Sequence, residues 1–273
     1  MNQFFNINRF SLLVVKHWAD NKKRYLLSVL AFIGLLIGWF TFTILVDSRF
    51  PVGQGLQMVT YFFSLFTIGS FYASQYFREL GSRSKGINFL LVPASGFEKV
   101  LCSLLYNVVL FFLVFTAAFY LVDILMVWIG QSLVSDIPYP ADQKGLLNVF
   151  HAANIHASPR TTVNILWIYF TIQSVFLLGS VYFQKYSFIK TIIAGFVLFF
   201  IFFVVVYFLY DMMPKGDYAN GILTSYIVKN DGKVDFLVEL PRWFGQLLYY
   251  IFMYGTAPFL YIVTYVRLKE KQV

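Results

Sequence analysis

Residues 26–46 read LLSVLAFIGLLIGWFTFTILV, a run of 21 residues with no charge. At about 1.5 Å per residue, a helix of that length crosses a hydrocarbon core of about 30 Å. Backbone in hydrocarbon must satisfy its own N–H and C=O groups, and a helix does so within one segment. The run exceeds the roughly 7–15 apolar residues of a cleaved signal peptide, and no small-residue cleavage site follows it. It is expected to stay in the membrane.

Five further apolar runs follow, at about 56–77, 100–129, 163–183, 188–210 and 243–266. The third is longer than a crossing requires, which predicts a tilt or a start in the headgroup layer. Composition agrees. Charged residues make up 12% of the chain, hydrophobic residues 59% and aromatic residues 21%, and the mean hydropathy is +0.69. A soluble domain carries about 25% charged residues. Half of that leaves too little polar surface for water and suits a body solvated by lipid. The net charge of +8 is spread over the loops rather than gathered in a basic domain. It therefore predicts orientation signals and anionic lipid contacts, and no nucleic-acid partner. Cys102 is the only cysteine, so no intrachain disulfide and no cysteine-based metal site is expected.

Loop charge sets sidedness. One side holds Arg9, Lys16, Lys22, Lys23, Arg24, Arg78, Arg83, Lys85, Lys99, Lys185, Lys190, Arg267, Lys269 and Lys271. The other holds half as many, namely Arg49, Lys144, Arg160, Lys215, Lys229, Lys233 and Arg242. The positive-inside rule puts the first side, and with it both termini, in the cytoplasm. An even number of crossings is required, and six were counted independently.

Residues 1–24 are expected to form a cytoplasmic interfacial helix, clearest over 4–20. At about 100° per residue, Phe4, Ile7, Phe10, Val14, Val15 and Trp18 share one arc, and Asn6, Arg9, Lys16, His17 and Asp20 the opposite one. Phe5, Leu12 and Leu13 blur the pattern. Such a helix lies in the headgroup plane, here with Trp18 as its anchor.

The loop at 78–99 carries the sharpest local signals. Pro93 forbids a helix running straight through it. Ser95 and Glu98 form a Ser-x-x-Glu capping box, which predicts that the third spanning helix starts at Ser95. Ahead of it, residues 87–92 are apolar and framed by Arg83, Lys85 and Lys99. That pattern suits either a partner-docking knob or a connector lying on lipid.

Six spans, an N-terminal interfacial helix and this compact loop resemble the membrane subunit of ABC-type exporters of the type-2 permease class. The run Leu-Leu-Val-Pro-Ala-Ser-Gly-Phe-Glu-Lys at 90–99 is similar to the Leu-Pro-Ala-Ser…Glu-Lys run common in bacterial permeases of that kind. The resemblance implies that Gly86, Ile87, Asn88, Phe89, Leu90, Leu91, Val92, Pro93, Ala94 and Ser95 form the coupling contact to a separate ABC ATPase. It implies a dimer with a second permease copy or homologue, in a bacterial inner membrane. ATP and Mg would sit on the ATPase, with no cofactor in this chain. The chain departs from the family before its last span. There, two β-prone runs flank Asn230-Asp231-Gly232 and read as a hairpin over 225–238. The other outer loop, 131–160, is rich in turn formers (Pro138, Pro140, Gly145, Pro159) and is expected to pack as a small cap.

Candidate intramembrane polar positions are Asp123, Asn107 and Gln173. An acid buried in a span is a functional candidate. Twenty residues from Leu101 end at Tyr120, however, so the count places Asp123 at the outer headgroups. Asn107, Gln173, Asn164 and Gln246 are expected to hydrogen-bond between helices or line a path. Gly34 and Gly38 form a Gly-x-x-x-Gly pair, and Gly255 with Pro258 predicts a bend in the last span. His151 and His156, about 140° apart if helical, make no shared-face ligand pair.

Catalytic motifs are missing. Gly81 and Gly86 have the spacing of a phosphate-binding loop, but Ile87 and Asn88 stand where Lys and Ser/Thr are needed. No zinc-protease or nucleophile-elbow pattern occurs. The expected fold is all-α, a polytopic bundle of six transmembrane helices forming one domain over 1–273, with outer loops at 131–160 and 211–242. The expected function is a non-enzymatic permease subunit. The alternatives are a non-transporting anchor, assembly or partner-binding subunit, and an ion-coupled carrier, which would want embedded acids or broken helix pairs in repeated halves.

Overall fold

The structure, a computed structural model, describes residues 5–46, 52–133, 145–147, 160–183, 185–212, 225–230, 233–239 and 241–271. The elements are α1 (Ile7–Val46), α2 (Gln54–Gln75), a short 3₁₀ turn (Arg78–Gly81), α3 (Arg83–Leu91), α4 (Gly96–Leu104), a π segment (Leu105–Leu110) and α5 (Phe111–Leu133). There follow α6 (Arg160–Tyr182), α7 (Ser187–Met212), β1 (Ser225–Asn230), β2 (Lys233–Glu239), α8 (Arg242–Tyr250), a second π segment (Ile251–Gly255) and α9 (Thr256–Glu270). Among the described residues, six helical stretches are long and apolar enough to cross a membrane, at Ile7–Val46, Gln54–Gln75, Gly96–Leu133, Val163–Tyr182, Ser187–Phe208 and Trp243–Glu270. The chain is a multi-pass membrane protein.

The first helix differs from expectation. It runs unbroken for 40 residues, about 60 Å at helical rise, where a separate interfacial helix ending near Asp20 was predicted. The cause is local. The link 20–25 contains no Gly or Pro, and its Lys22, Lys23 and Arg24 favour helix. Its N-terminus is capped by Asn6, whose Oδ1 accepts from Asn8 N at 2.9 Å.

Helix α2 packs on α6, α6 on α9 and α7, and α1 on α5. One apolar cluster joins Phe32, Leu36 and Phe40 of α1 to Tyr61 and Leu65 of α2 and to Phe115, Phe119 and Val122 of α5. A second gathers at the end of the bundle that carries α3, from Ala73, Phe77, Val100, Leu177, Val181 and Leu268. Lys271 donates to the Val181 carbonyl there and closes the α6 terminus with the end of the chain. Burial, with Arg267 close by, lowers the Lys271 amine from its ordinary value.

At the opposite end, the buried Gln57 pins the segment 145–147. Its Nε2 donates to the carbonyls of Val52 (3.0 Å) and Gly145 (3.2 Å), and its Oε1 accepts from Leu147 N at 2.7 Å. Gly145 has φ +104°, a conformation that glycine adopts without penalty. Of the turn formers expected to shape that loop, Pro138, Pro140 and Pro159 lie outside the described residues, as do His151 and His156.

The hairpin is present. β1 and β2 pair antiparallel, with Ser225 opposite Glu239 and Val228 opposite Phe236. The register then shifts so that Asn230 faces Lys233, which leaves β2 one residue longer between these pairs. Asp231 and Gly232, the expected turn, lie outside the described residues.

Candidate functional site: the loop helix and the cavity behind it

Residues 83–91 of the second-to-third connection form α3, and Pro93 sits in the turn that separates it from α4. Ser95 is the N-cap of α4. Its Oγ accepts from Glu98 N at 3.1 Å, and Ser95 N donates to Glu98 Oε2 at 2.8 Å, which is the capping box in full. The same carboxylate reaches a second element, α1. Its Oε1 accepts from Asn6 N (2.8 Å) and from Arg9 Nη2 (3.0 Å). Glu98 is 0% exposed, so one buried carboxylate ties the start of α1 to the start of α4.

Lys99 does the equivalent for α3. Read from the sequence as a basic flank of the apolar patch, it is buried. Its Nζ donates to the Leu90 carbonyl at 3.1 Å and lies 5.3 Å from the Phe89 ring centre. Phe89 in turn meets Phe77 edge to face at 5.9 Å. α3 is thus fastened from behind by Lys99 and Phe89. Ile87 (50% exposed) and Leu91 (73% exposed), four residues apart on one face, point outward with the exposed Asn88 and Pro93 beside them. Of the expected contact residues, Phe89, Leu90, Val92, Ala94 and Ser95 are half-buried and Gly86 is buried. The outward-facing part of that segment is therefore narrower than the sequence suggested.

Between α3, the end of α2 and the first half of α1 lies a cavity of about 760 Å³. Lys16, His17, Asp20 and Arg24 of α1 line it. The polar arc of α1 thus turns toward the protein, while Ile7, Leu12 and Val15 stay exposed. Part of its wall is an aromatic cluster that the sequence reading missed. His17 Nε2 is 2.7 Å from the Tyr25 hydroxyl, and its ring lies 4.5 Å from Tyr106 and 4.9 Å from Tyr76. Tyr25 stacks on Tyr106 at 5.9 Å and 7°. Tyr106 donates to the Val14 carbonyl at 2.8 Å. The one legible trace was the Tyr72–Tyr76 pair at helical spacing.

The three intramembrane polar positions are not gathered into one site. Asn107 lies in the first π segment, lines the cavity and is 3% exposed, and its Nδ2 has no hydrogen-bond partner among the described residues. Gln173 is buried against Gly69, with both amide atoms unpartnered among the described residues. Asp123 is 0% exposed, and neither carboxylate oxygen has a partner among the described residues. It shares the buried stripe of Phe119, Val122, Met126, Val127 and Gly130.

No protein-family model, curated protein or solved structure matches the chain.

Proposed function

We propose that this chain is the membrane-spanning permease subunit of an ATP-driven exporter. It works as a dimer with a second permease copy and couples to separate ABC ATPase chains that carry the ATP and Mg. Both termini and α3 face the cytoplasm of a bacterial inner membrane. One observation carries this reading. α3 presents Ile87 and Leu91 to the outside while Lys99 of α4 and Phe77, just past the end of α2, hold its rear, and Glu98 ties α4 in turn to α1. A push on that face would pass through Lys99 to α4, through Phe89 and Phe77 to the end of α2, and from α4 through Glu98 to α1. The resemblance at 90–99 and the basic character of this end of the bundle support the same assignment.

The test is co-purification with a soluble ATPase that bears a phosphate-binding loop and is encoded beside this chain. Each outward side chain contributes about 1.5–3 kcal/mol when fully buried by a partner. Ile87→Asp with Leu91→Asp should therefore lower recovery of the ATPase about a hundredfold or more, with thermal stability of the permease unchanged. Undiminished recovery argues against the assignment. Capture through this face of a partner that hydrolyses no ATP moves the reading to an anchor or assembly subunit.

A further inference from the structure

We propose that the cavity behind α3 and the groove beside it together hold an amphiphile bearing a phosphate group, with the phosphate in the cavity and the hydrocarbon chain in the groove. The inference does not need the transport reading to hold, although Leu91, which lines the groove, is shared with the outward face of α3 assigned above to the ATPase.

Charge comes first. Lys16 and Arg24 of α1, Arg78 of the 3₁₀ turn and Lys85 of α3 all line the cavity, so cations from three elements converge on one space. Two carboxylates, Asp20 and Glu79, line it too. None of the four cations forms an ion pair with a carboxylate among the described residues. Four exposed cations against two carboxylates leave the lining net positive, which favours an anion, and phosphate oxygens suit Lys and Arg well.

A second, independent observation points the same way. Asn107 is buried in the cavity wall with its Nδ2 donor unpartnered among the described residues. An unmet buried donor is uncommon and calls for an acceptor. It lies in the π segment at 105–110, where Tyr106, Asn107 and Val108 are all buried.

The shape supplies the rest. A groove of about 530 Å³ adjoins the cavity and shares Leu13, Lys16, Asn88 and Val92 with it. Its remaining lining is largely apolar, from Leu12, Leu91, Pro93 and Ala94. A polar basic chamber opening on an apolar trough matches a molecule with an anionic head and an oily tail. Both volumes fall within the roughly 300–1,000 Å³ of ligand pockets. The pair also sits where the apolar runs of α1 and α2 give way to Lys22–Arg24 and Arg78, the level at which lipid phosphates lie.

The experiment uses the full chain in a neutral maltoside detergent, with bound lipid read by native mass spectrometry. Phosphatidylglycerol should be retained as a single adduct, about tenfold or more above phosphatidylcholine. Lys16→Gln with Lys85→Gln, both exposed positions, should lower that retention about tenfold. Asn107→Leu should lower it several-fold without lowering thermal stability. Lys22→Gln with Lys23→Gln, equally basic but outside the cavity, should leave it unchanged. Equal retention of the two lipids, or equal loss in the Lys22/Lys23 control, would mean diffuse surface charge and overturn the proposal. Displacement of the lipid by inorganic phosphate at matching concentration would assign the site to a free phosphate and overturn the amphiphile.

Discussion

Glu98 and Lys99 are neighbours in sequence, both buried, and fastened to different elements. Glu98 accepts three hydrogen bonds, from Ser95 N, Asn6 N and Arg9. Lys99 donates to α3. The capping box was legible because it spans four residues. The bond from Glu98 to α1 was not, because its partners lie about 90 positions away and no local pattern announces them. Glu98→Gln keeps the size but offers one acceptor and sets an N–H₂ against donors. It should cost about 1.5–3 kcal/mol, the range for hydrogen bonds to a charged group. The expected readout is a lower melting temperature in detergent together with faster proteolysis near Asn6. Arg9→Ala should cost less, since Arg9 is partly exposed and solvent screens it. Asp123 shows the same limit of local reading. Counting residues from Leu101 measures depth, but burial also depends on which way the helix is turned, and Asp123 falls on the inward stripe.

At the scale of elements, sequence pattern identified small residues without saying which of them matter. Gly34 and Gly38 have the familiar four-residue spacing, yet a Cβ added at either meets nothing within 4 Å. The close approaches are elsewhere. A Cβ at Gly179 of α6 would overlap the Thr191 side chain of α7, and one at Gly69 of α2 would overlap the Gln173 amide of α6. Thr191 is β-branched and sits with its Cβ and both γ atoms against Gly179, so rotation gives little relief. Gly179→Ala should therefore destabilise the α6–α7 packing by about 1–3 kcal/mol. Gly69→Ala should cost less, because the flexible Gln173 amide can swing aside. Gly34→Ala and Gly38→Ala should stay within about 0.5 kcal/mol. Thermal unfolding of the four variants in one detergent ranks them, and equal values across the set would contradict the geometry. The second π segment was partly legible. Pro258 lacks the N–H that the Tyr254 carbonyl would use, and the backbone answers with a π turn at Ile251–Gly255. Nothing comparable marks Leu105–Leu110, which holds neither Gly nor Pro.

For the whole molecule, hydropathy located six spans because membrane crossing depends on length and apolarity, which are properties of each segment alone. How the ends are held depends on contacts between segments. α1 is tied to α4 through Glu98, and the end of α9 is tied to α6 through Lys271 and through Arg267, which lies over the Tyr182 ring at 4.7 Å. The start of α1 and the end of α9 therefore gather with α3 at one end of the bundle, and the β1–β2 hairpin, which links α7 to α8, belongs to the other. The basic residues are concentrated at the α3 end, so that end should face the cytoplasm. Single cysteines at positions 85 and 229 provide the check, in a Cys102→Ser background whose native thiol is buried. In intact cells, a membrane-impermeant maleimide should label Lys229→Cys and leave Lys85→Cys untouched until the membrane is opened. The reverse pattern would put α3, with its exposed Ile87 and Leu91, beyond the reach of any cytosolic ATPase. The coupling assignment would then fall, while the phosphate-amphiphile site, which needs only a leaflet of anionic headgroups, would move to the other face.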